Sequence, residues 1–274
     1  MFGQSRQKYY RSFWRESKQQ SKSIAVIDKV NEIRNIMPRL GTRKLYHILQ
    51  KEFCSMNVGR DKLFSILRAN HLLIKPKRNY RITTDSHHRF KKHKNLMEGM
   101  QINHPEQVWV SDITYIGSRN RNCYLALVTD AYSKKIMGYD VSNSLATDGS
   151  LRALNMAVNK RRYNNQLIHH SDRGFQYCSN DYQKALIKKK IIPSMTESYD
   201  PYANAIAERV NGILKQEFLL EDYQVDIGTM KLLVKDAVRI YNTKRPHWSC
   251  YMKTPEQMHK QKNVKIKTYK KDRE

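Results

Sequence analysis

Gln107-Val-Trp-Val-Ser-Asp-Ile-Thr-Tyr-Ile116 decides the fold class of this 274-residue chain. Apolar and polar residues alternate through it and β-branched and aromatic side chains crowd it, the composition of a half-buried strand. Asp112 sits inside it, an acid in a stretch otherwise made for a sheet. Working outward, Cys123-Tyr-Leu-Ala-Leu-Val-Thr129 reads as a buried strand and Lys135-Ile-Met-Gly-Tyr-Asp-Val141 as a third. The turn formers Gly117-Ser-Arg-Asn120 and Asp130-Ala-Tyr-Ser133 separate them, so an antiparallel meander is expected. Beyond it the pattern predicts a helix from Asp148 to Lys160, a strand over Leu167-Ile-His-His170 and a helix from Asn180 to Lys190. A strand over Ile191-Ile-Pro-Ser194 and a long helix from Ala203 to Leu220 complete it. Three successive strands followed by alternating helix and strand make a mixed, five-stranded α/β sheet with flanking helices.

Upstream the texture is different. Residues 1–23 are polar and basic and read as an N-terminal extension without a buried stripe. From Ile24 the spacing turns helical, with Ile24, Ile27, Ile33 and Met37 near one face before Pro38. A second short helix opens at Gly41-Thr42 with Leu45, Ile48 and Leu49, and a third runs from Val58 to Asn70 with Leu63, Ile66 and Leu67. Three short amphipathic helices over 24–75 fit a small all-α helix-turn-helix domain. Arg43 and Lys44 on the second helix, with Arg60, Lys62 and Arg68 on the third, form a basic face suited to DNA phosphates, the alternative being an ordinary solvated face. Residues 76–105 read as a linker, 106–225 as the α/β core, and 226–274 as a C-terminal helix and basic tail.

Lys and Arg number 51 against 25 Asp and Glu, a net charge of +26 that implies an extended polyanion partner. The excess is uneven: +15 over residues 1–111, +3 over 112–225 and +8 over 226–274. A purely structural nucleic-acid binder gives no reason for acids gathered in the middle third. Cys54, Cys123, Cys178 and Cys250 form no Cys-x-x-Cys pair, so neither a zinc knuckle nor a disulfide framework is expected. A zinc site built from His87, His88 and His93 lacks a cysteine pair to complete it. No apolar run approaches a membrane span, and Met1-Phe-Gly-Gln-Ser-Arg-Gln-Lys8 has no signal-peptide core, so the expected location is cytoplasmic, at the nucleoid.

Within the middle third, Asp112, Asp172 in His169-His-Ser-Asp-Arg-Gly174 and Glu208 in Ala205-Ile-Ala-Glu-Arg-Val-Asn211 come from three separate elements. Magnesium takes oxygen ligands from few protein carboxylates and keeps positions for water and phosphate oxygens. Two such ions serve an in-line phosphoryl displacement, and three converging acids suffice to hold them. On the long helix Ile206, Val210, Ile213, Leu214 and Phe218 form an apolar stripe, while Asn204, Glu208, Asn211 and Lys215 share the other face. Singly, each acid reads as a turn cap or a solvated helix residue; their joint placement argues for a metal site, with Lys215 poised for a phosphate. No Gly-x-x-x-x-Gly-Lys loop and no Gly-x-Ser-x-Gly elbow is present, which leaves out ATP-driven and serine-triad chemistry. His169 and His170 suit either orientation of the site or packing.

The chain resembles the second-frame (OrfB) product of bacterial insertion-sequence transposases of the DDE class, related to retroviral integrases. Trp109-Val-Ser-Asp-Ile-Thr-Tyr-Ile116, His169-His-Ser-Asp-Arg-Gly174, Pro201 through Phe218, Tyr241-Asn-Thr-Lys-Arg-Pro-His247 and Thr254-Pro255 carry the resemblance, together with the region around Leu40-Gly-Thr-Arg-Lys44. It implies an RNase H-like fold, with Asp112 on the first strand, Asp172 after the fourth and Glu208 on the following helix as catalytic and metal-holding residues, and Lys215 as the basic residue after the catalytic Glu. Ala203 departs from the pattern, standing where many relatives carry an acid.

The expected activity is metal-dependent cleavage and strand transfer at the ends of a mobile DNA element, with Mg²⁺ as the cofactor and Mn²⁺ able to substitute. DNA contacts are expected from Lys215, Asn204, Arg43, Lys44, Arg60 and Lys62. The resemblance implies element ends and target DNA as partners, a first-frame helix-turn-helix protein or fusion, and a homo-oligomer assembled on DNA. The rivals are a nuclease of the same fold that cuts without joining, and a non-catalytic DNA-binding protein.

Overall fold

The computed structural model describes residues 6–75, 90, 92–118, 123–196 and 204–267, in two compact units, Met1–Lys77 and Arg78–Glu274. The first unit is helical: α1 (Arg6–Arg34), α2 (Thr42–Ile48), α3 (Gln50–Ser55) and α4 (Arg60–Ala69). Val26, Val30, Leu40, Leu45, Phe53, Leu63 and Leu67 are fully buried at its centre. The first helix begins at Arg6 and so takes in residues 6–23 of the polar, basic extension. Their side chains are almost all exposed, and helix-favouring Gln, Lys, Arg and Glu carry those turns without a buried stripe. The second helix is shorter than the spacing suggested, because Leu49 ends it and a separate turn, α3, follows.

The second unit is built on five strands: β1 (Val108–Ile116), β2 (Cys123–Asp130), β3 (Ile136–Ser142), β4 (Leu167–Ser171) and β5 (Ile191–Met195). Their spatial order is β3-β2-β1-β4-β5, antiparallel through β3, β2 and β1 and parallel from β1 to β4 to β5. The first three strands form the expected meander. The parallel pairs are reached through crossovers carrying α5 (Thr147–Asn159), and α6 (Phe175–Cys178) with α7 (Asn180–Lys188). Helices α8 (Ala205–Glu217), α9 (Ile227–Thr243) and α10 (Pro255–His259) follow.

Alternation along β1 sorts the core into two layers. Trp109 and Ile113 face a cluster containing Ala153, Leu154 and Ala157 of α5 and Tyr182 and Leu186 of α7. Val108 and Val110 face the other way, toward Ala207 of α8. Helix α5 lies hard on the meander: a Cβ added at Gly138 would stand 2.0 Å from the Ala153 carbonyl oxygen. Only a strand residue without a side chain admits the helix at that distance.

One segment differs from its sequence reading. Residues 92–105, read as linker, lie along the sheet. Leu96 N–H donates to Ser194 Oγ at 2.9 Å, Met195 N–H to the Lys94 carbonyl at 3.3 Å, and Met97, Met100 and Ile102 pack beside Val108 and Val110. The basic tail is ordered through Lys267. Val264 and Ile266 pack against Tyr132, Val264 N–H donates to Tyr132 Oη at 3.1 Å, and Asn263 N–H donates to the Asn103 carbonyl at 3.1 Å. Residues 268–271 lie outside the described residues.

A buried ionic cluster fastens this end of the chain. Glu106, fully buried, accepts the N–H groups of Arg162 and Tyr163 at 2.9 Å each and faces His259 Nε2 at 3.3 Å. Asp130 accepts from the N–H groups of Glu106 and Ser133, and Ser133 Oγ lies 3.0 Å from His259 Nδ1. Lys135 pairs with Glu256 at 2.6 Å, and Thr254 closes a capping box with Gln257 on α10.

Candidate active site

The register of β1 and β4 brings two of the acids together. Ser111 pairs with Ser171 in the last rung of the parallel ladder, so Asp112 and Asp172 each directly follow that rung, one after β1's paired stretch and one after β4, at a strand spacing of roughly 4.8 Å. Asp112 has the parity of Val108 and Val110 and therefore faces α8. Its Oδ2 accepts from Asn211 Nδ2 at 2.8 Å and its Oδ1 from the Ile113 N–H at 2.9 Å. Asp172 Oδ1 accepts the Gly174 N–H at 3.1 Å, and a Cβ at Gly174 would stand 3.0 Å from that oxygen. The missing side chain leaves room for the carboxylate.

Glu208 lies exposed in the first turn of α8, where the helix dipole favours an anion. The three acids feel one another. Burial pushes the Asp112 carboxyl up to about 8, with the charges of Asp172 and Glu208 adding to the rise against the hydrogen bonds from Asn211 and Ile113. Glu208 is raised by desolvation and by Asp172. Like charges held together in a partly buried place are poised for a cation.

Lys215, two turns along α8, places Nζ 3.4 Å from Thr114 Oγ1 on β1. Asn204, expected at the DNA, is instead 6 % exposed, and its Nδ2 donates to the Ser111 carbonyl at 3.1 Å. That amide ties the start of α8 to β1. His169 and His170 are buried under the site. His169 Nε2 meets Ser111 Oγ at 2.8 Å and Tyr182 Oη at 2.9 Å, and burial followed by the neighbouring His170 pulls its pKa down to about 3. A neutral, packed His169 orients the strand ends and does not present a charge to a phosphate. His170 Nδ1 lies 2.9 Å from Ser194 Oγ. Arg43, Arg60 and Lys62 are exposed on the helical unit and Lys44 is half-buried; Arg60 pairs with Asp61 at 3.0 Å. His87 and His88 lie outside the described residues.

Residues 102–201 match an integrase core domain family model, and residues 189–255 match a second model of that description. The chain is 33% identical over 252 residues to an uncharacterized 31 kDa protein of the insertion element IS600 from Shigella sonnei, a match covering 90% of this chain and 92% of that one. It is 30% identical over 221 residues to transposase InsF of insertion sequence IS3A from Escherichia coli K12, covering 80% of this chain and 76% of that one. The chain belongs to the insertion-sequence transposase family. Among solved structures it is similar to a chain of the simian T-cell lymphotropic virus intasome in complex with PP2A regulatory subunit B56 gamma. The TM-score is 0.51 at 17% identity, over 87% of this chain and 77% of that one, a likeness of fold.

In this transposase the donor set fits a hard cation. The acids supply oxygens only, and the amide oxygens of Asn204 and Asn211 are buried without a hydrogen-bond partner. Among the described residues no group of three His, Cys, Asp or Glu side chains is already drawn together to hold a metal ion. Mg²⁺ binds through few protein carboxylates and keeps waters and substrate oxygens in its shell. No described helix of the transposase is long and apolar enough to cross a membrane. Sequence reading placed Asn211 on the polar face of α8 but gave it no role; the one-turn spacing to Lys215 was the available signal, and the Asp112 contact was not.

Proposed function

We propose that the chain cleaves DNA at the ends of a mobile element and joins the exposed 3′-hydroxyl to another phosphodiester, with Asp112, Asp172 and Glu208 as the catalytic residues. The observation that supports this reading is the Ser111–Ser171 rung, after which Asp112 and Asp172 follow side by side, with Asn211 of the Glu208 helix bonded to Asp112. Two Mg²⁺ ions, or Mn²⁺ in their place, held by these oxygens would supply charge to activate the attacking oxygen and steady the leaving one. Asn211 orients the Asp112 carboxylate, Asn204 fixes the start of α8, and Lys215 offers a cation to a phosphate bound along the same helix face. Buried His169 and Tyr182 hold Ser111, and through it the strand end.

Arg43, Lys44, Arg60 and Lys62 bind duplex phosphates from the helical unit. DNA ends and target are the substrates, and the chain works as an oligomer on DNA, joined or fused to a first-frame helix-turn-helix protein. A strand-transfer assay with labelled element ends and Mg²⁺ tests the reading. Joined products are expected from the native chain, and none from Asp112→Asn, Asp172→Asn or Glu208→Gln. Cut but unjoined ends would favour a nuclease, and joining that survives all three substitutions would sink the assignment.

A further inference from the structure

The late segment Tyr241-Asn-Thr-Lys-Arg-Pro-His247 has no part in the carboxylate site, yet it reaches the helix that carries Glu208. Arg245 is 1 % exposed. Its Nε donates to Glu217 Oε2 at 2.8 Å and its Nη2 to Oε1 at 2.7 Å, a two-pronged grip on the last residue of α8. Nη1 lies 2.8 Å from His247 Nε2, and the guanidinium stands 5.7 Å from the Tyr241 ring centre. The segment is itself bolted to the sheet edge. Tyr241 Oη donates to the Lys134 carbonyl at 2.9 Å, while the Asn242 side chain donates to the Ile136 carbonyl and accepts from the Ile136 N–H at 3.0 Å each.

Glu217 lies nine residues beyond Glu208, two and a half helical turns, so the two acids stand on opposite faces of α8. The front of the helix is tied by Asn204, Asn211 and Lys215 to β1; the back is tied by Arg245. A roll of α8 by about 20° would swing a carboxyl some ~6 Å from the axis through ~2 Å, and a misplacement of ~1 Å can cost roughly a hundredfold in rate. A buried ion pair is a poor source of stability compared with apolar packing, but its bidentate geometry fixes direction.

We infer that Arg245 is a positioning residue for strand transfer: gripping Glu217, it sets the roll of α8 and so the place of Glu208 over Asp112 and Asp172. This rests on the carboxylate reading above. The test uses the full chain with Arg245→Lys, Glu217→Ala and Glu217→Gln, and Glu208→Gln as reference. Three quantities are read: the joining rate at saturating DNA, the KM for the DNA end, and Mn²⁺ affinity of the DNA-free protein.

With circular dichroism unchanged, the rate is expected to fall about tenfold or more and Mn²⁺ binding to weaken by a similar factor, with KM little changed. If Glu217→Ala does not fold, the isosteric Glu217→Gln, which keeps one acceptor for Arg245, carries the same expectation. If Glu208→Gln joins DNA as the native chain does, the carboxylate reading fails and this inference with it. If Glu208→Gln is inactive while the folded Arg245 and Glu217 variants match the native chain, or lose only DNA affinity, Arg245 is a structural staple and the inference alone is overturned.

Discussion

Asn211 on α8 donates its side-chain amide to Oδ2 of Asp112 on β1 at 2.8 Å, tying the helix of one acid to the carboxylate of another. Asn211→Ala removes the only side-chain donor to Asp112 among its described hydrogen bonds, and strand joining is expected to slow about ten- to a hundredfold. Asn211→Asp places another anion against an already raised carboxyl and is expected to be worse. Single-turnover joining rates decide it; native rates in both variants would remove Asn211 from the site.

At Gly174 the backbone is ordinary, with φ −63, so alanine strains nothing there. Its Cβ would nevertheless stand 3.0 Å from Asp172 Oδ1 and 3.3 Å from Gln176 Oε1. Gly174→Ala should therefore shift the Asp172 carboxylate while leaving the thermal midpoint nearly unchanged. The expected result is joining slowed about tenfold with weaker Mn²⁺ binding, measured beside differential scanning calorimetry. A large fall in midpoint with intact joining would contradict it.

Stability should depend on pH through the Glu106–His259 pair. Burial works against the charged Glu106, but the hydrogen bonds from His259, Arg162 and Tyr163 outweigh it and hold the carboxyl below its usual 4.5. Its stabilisation is present above about that pH and is lost as the pH falls through the lowered value. Burial likewise disfavours the His259 cation, but the bonds to Asp130 and Glu106 win and raise it above 6.5. That contribution is present below about 6.5 and is lost as the pH rises through the raised value. Urea titrations across pH are expected to show a maximum between these limits, and His259→Gln to remove the alkaline decline.

For the helical unit, the exposed Arg43, Arg60 and Lys62 are expected to act through phosphates. Replacing all three by Ala should lower the slope of log binding constant against log salt by roughly 3, close to one for each phosphate lost. Duplexes of unrelated sequence should weaken alike in a fluorescence-anisotropy series. An unchanged slope would return those residues to plain solvation.

Much of this was legible in the residues. Strand alternation around Asp112 located the sheet and its parity, and the polar face of α8 put Glu208, Asn211 and Lys215 together, because periods of 2 and 3.6 survive in a single sequence. What stayed hidden has no periodicity. The first turns of α1 bury almost nothing, so no stripe marks them as helix. Residues 92–105 attach through backbone groups of Lys94 and Leu96, which any residue type supplies. Asn204 shares the polar face of α8 by helical phase, but no spacing shows that the carbonyl of Ser111 claims its amide. Arg245 lies in a motif with no periodicity, and nothing in its spacing ties it to Glu217.

The hydrogen bond from Asn263 N–H to the Asn103 carbonyl closes the second unit into a loop whose two ends meet. Domain trimming must respect that closure. A fragment cut after residue 225 holds all three acids and every strand, yet it strands Glu106 and Asp130 in the interior without His259. Such a fragment is expected to bind a hydrophobic dye and lose its near-ultraviolet dichroism, whereas one running from 92 to 267 keeps it. The smallest portable catalytic piece is thus set by a seam between its two ends and not by the span of its acids.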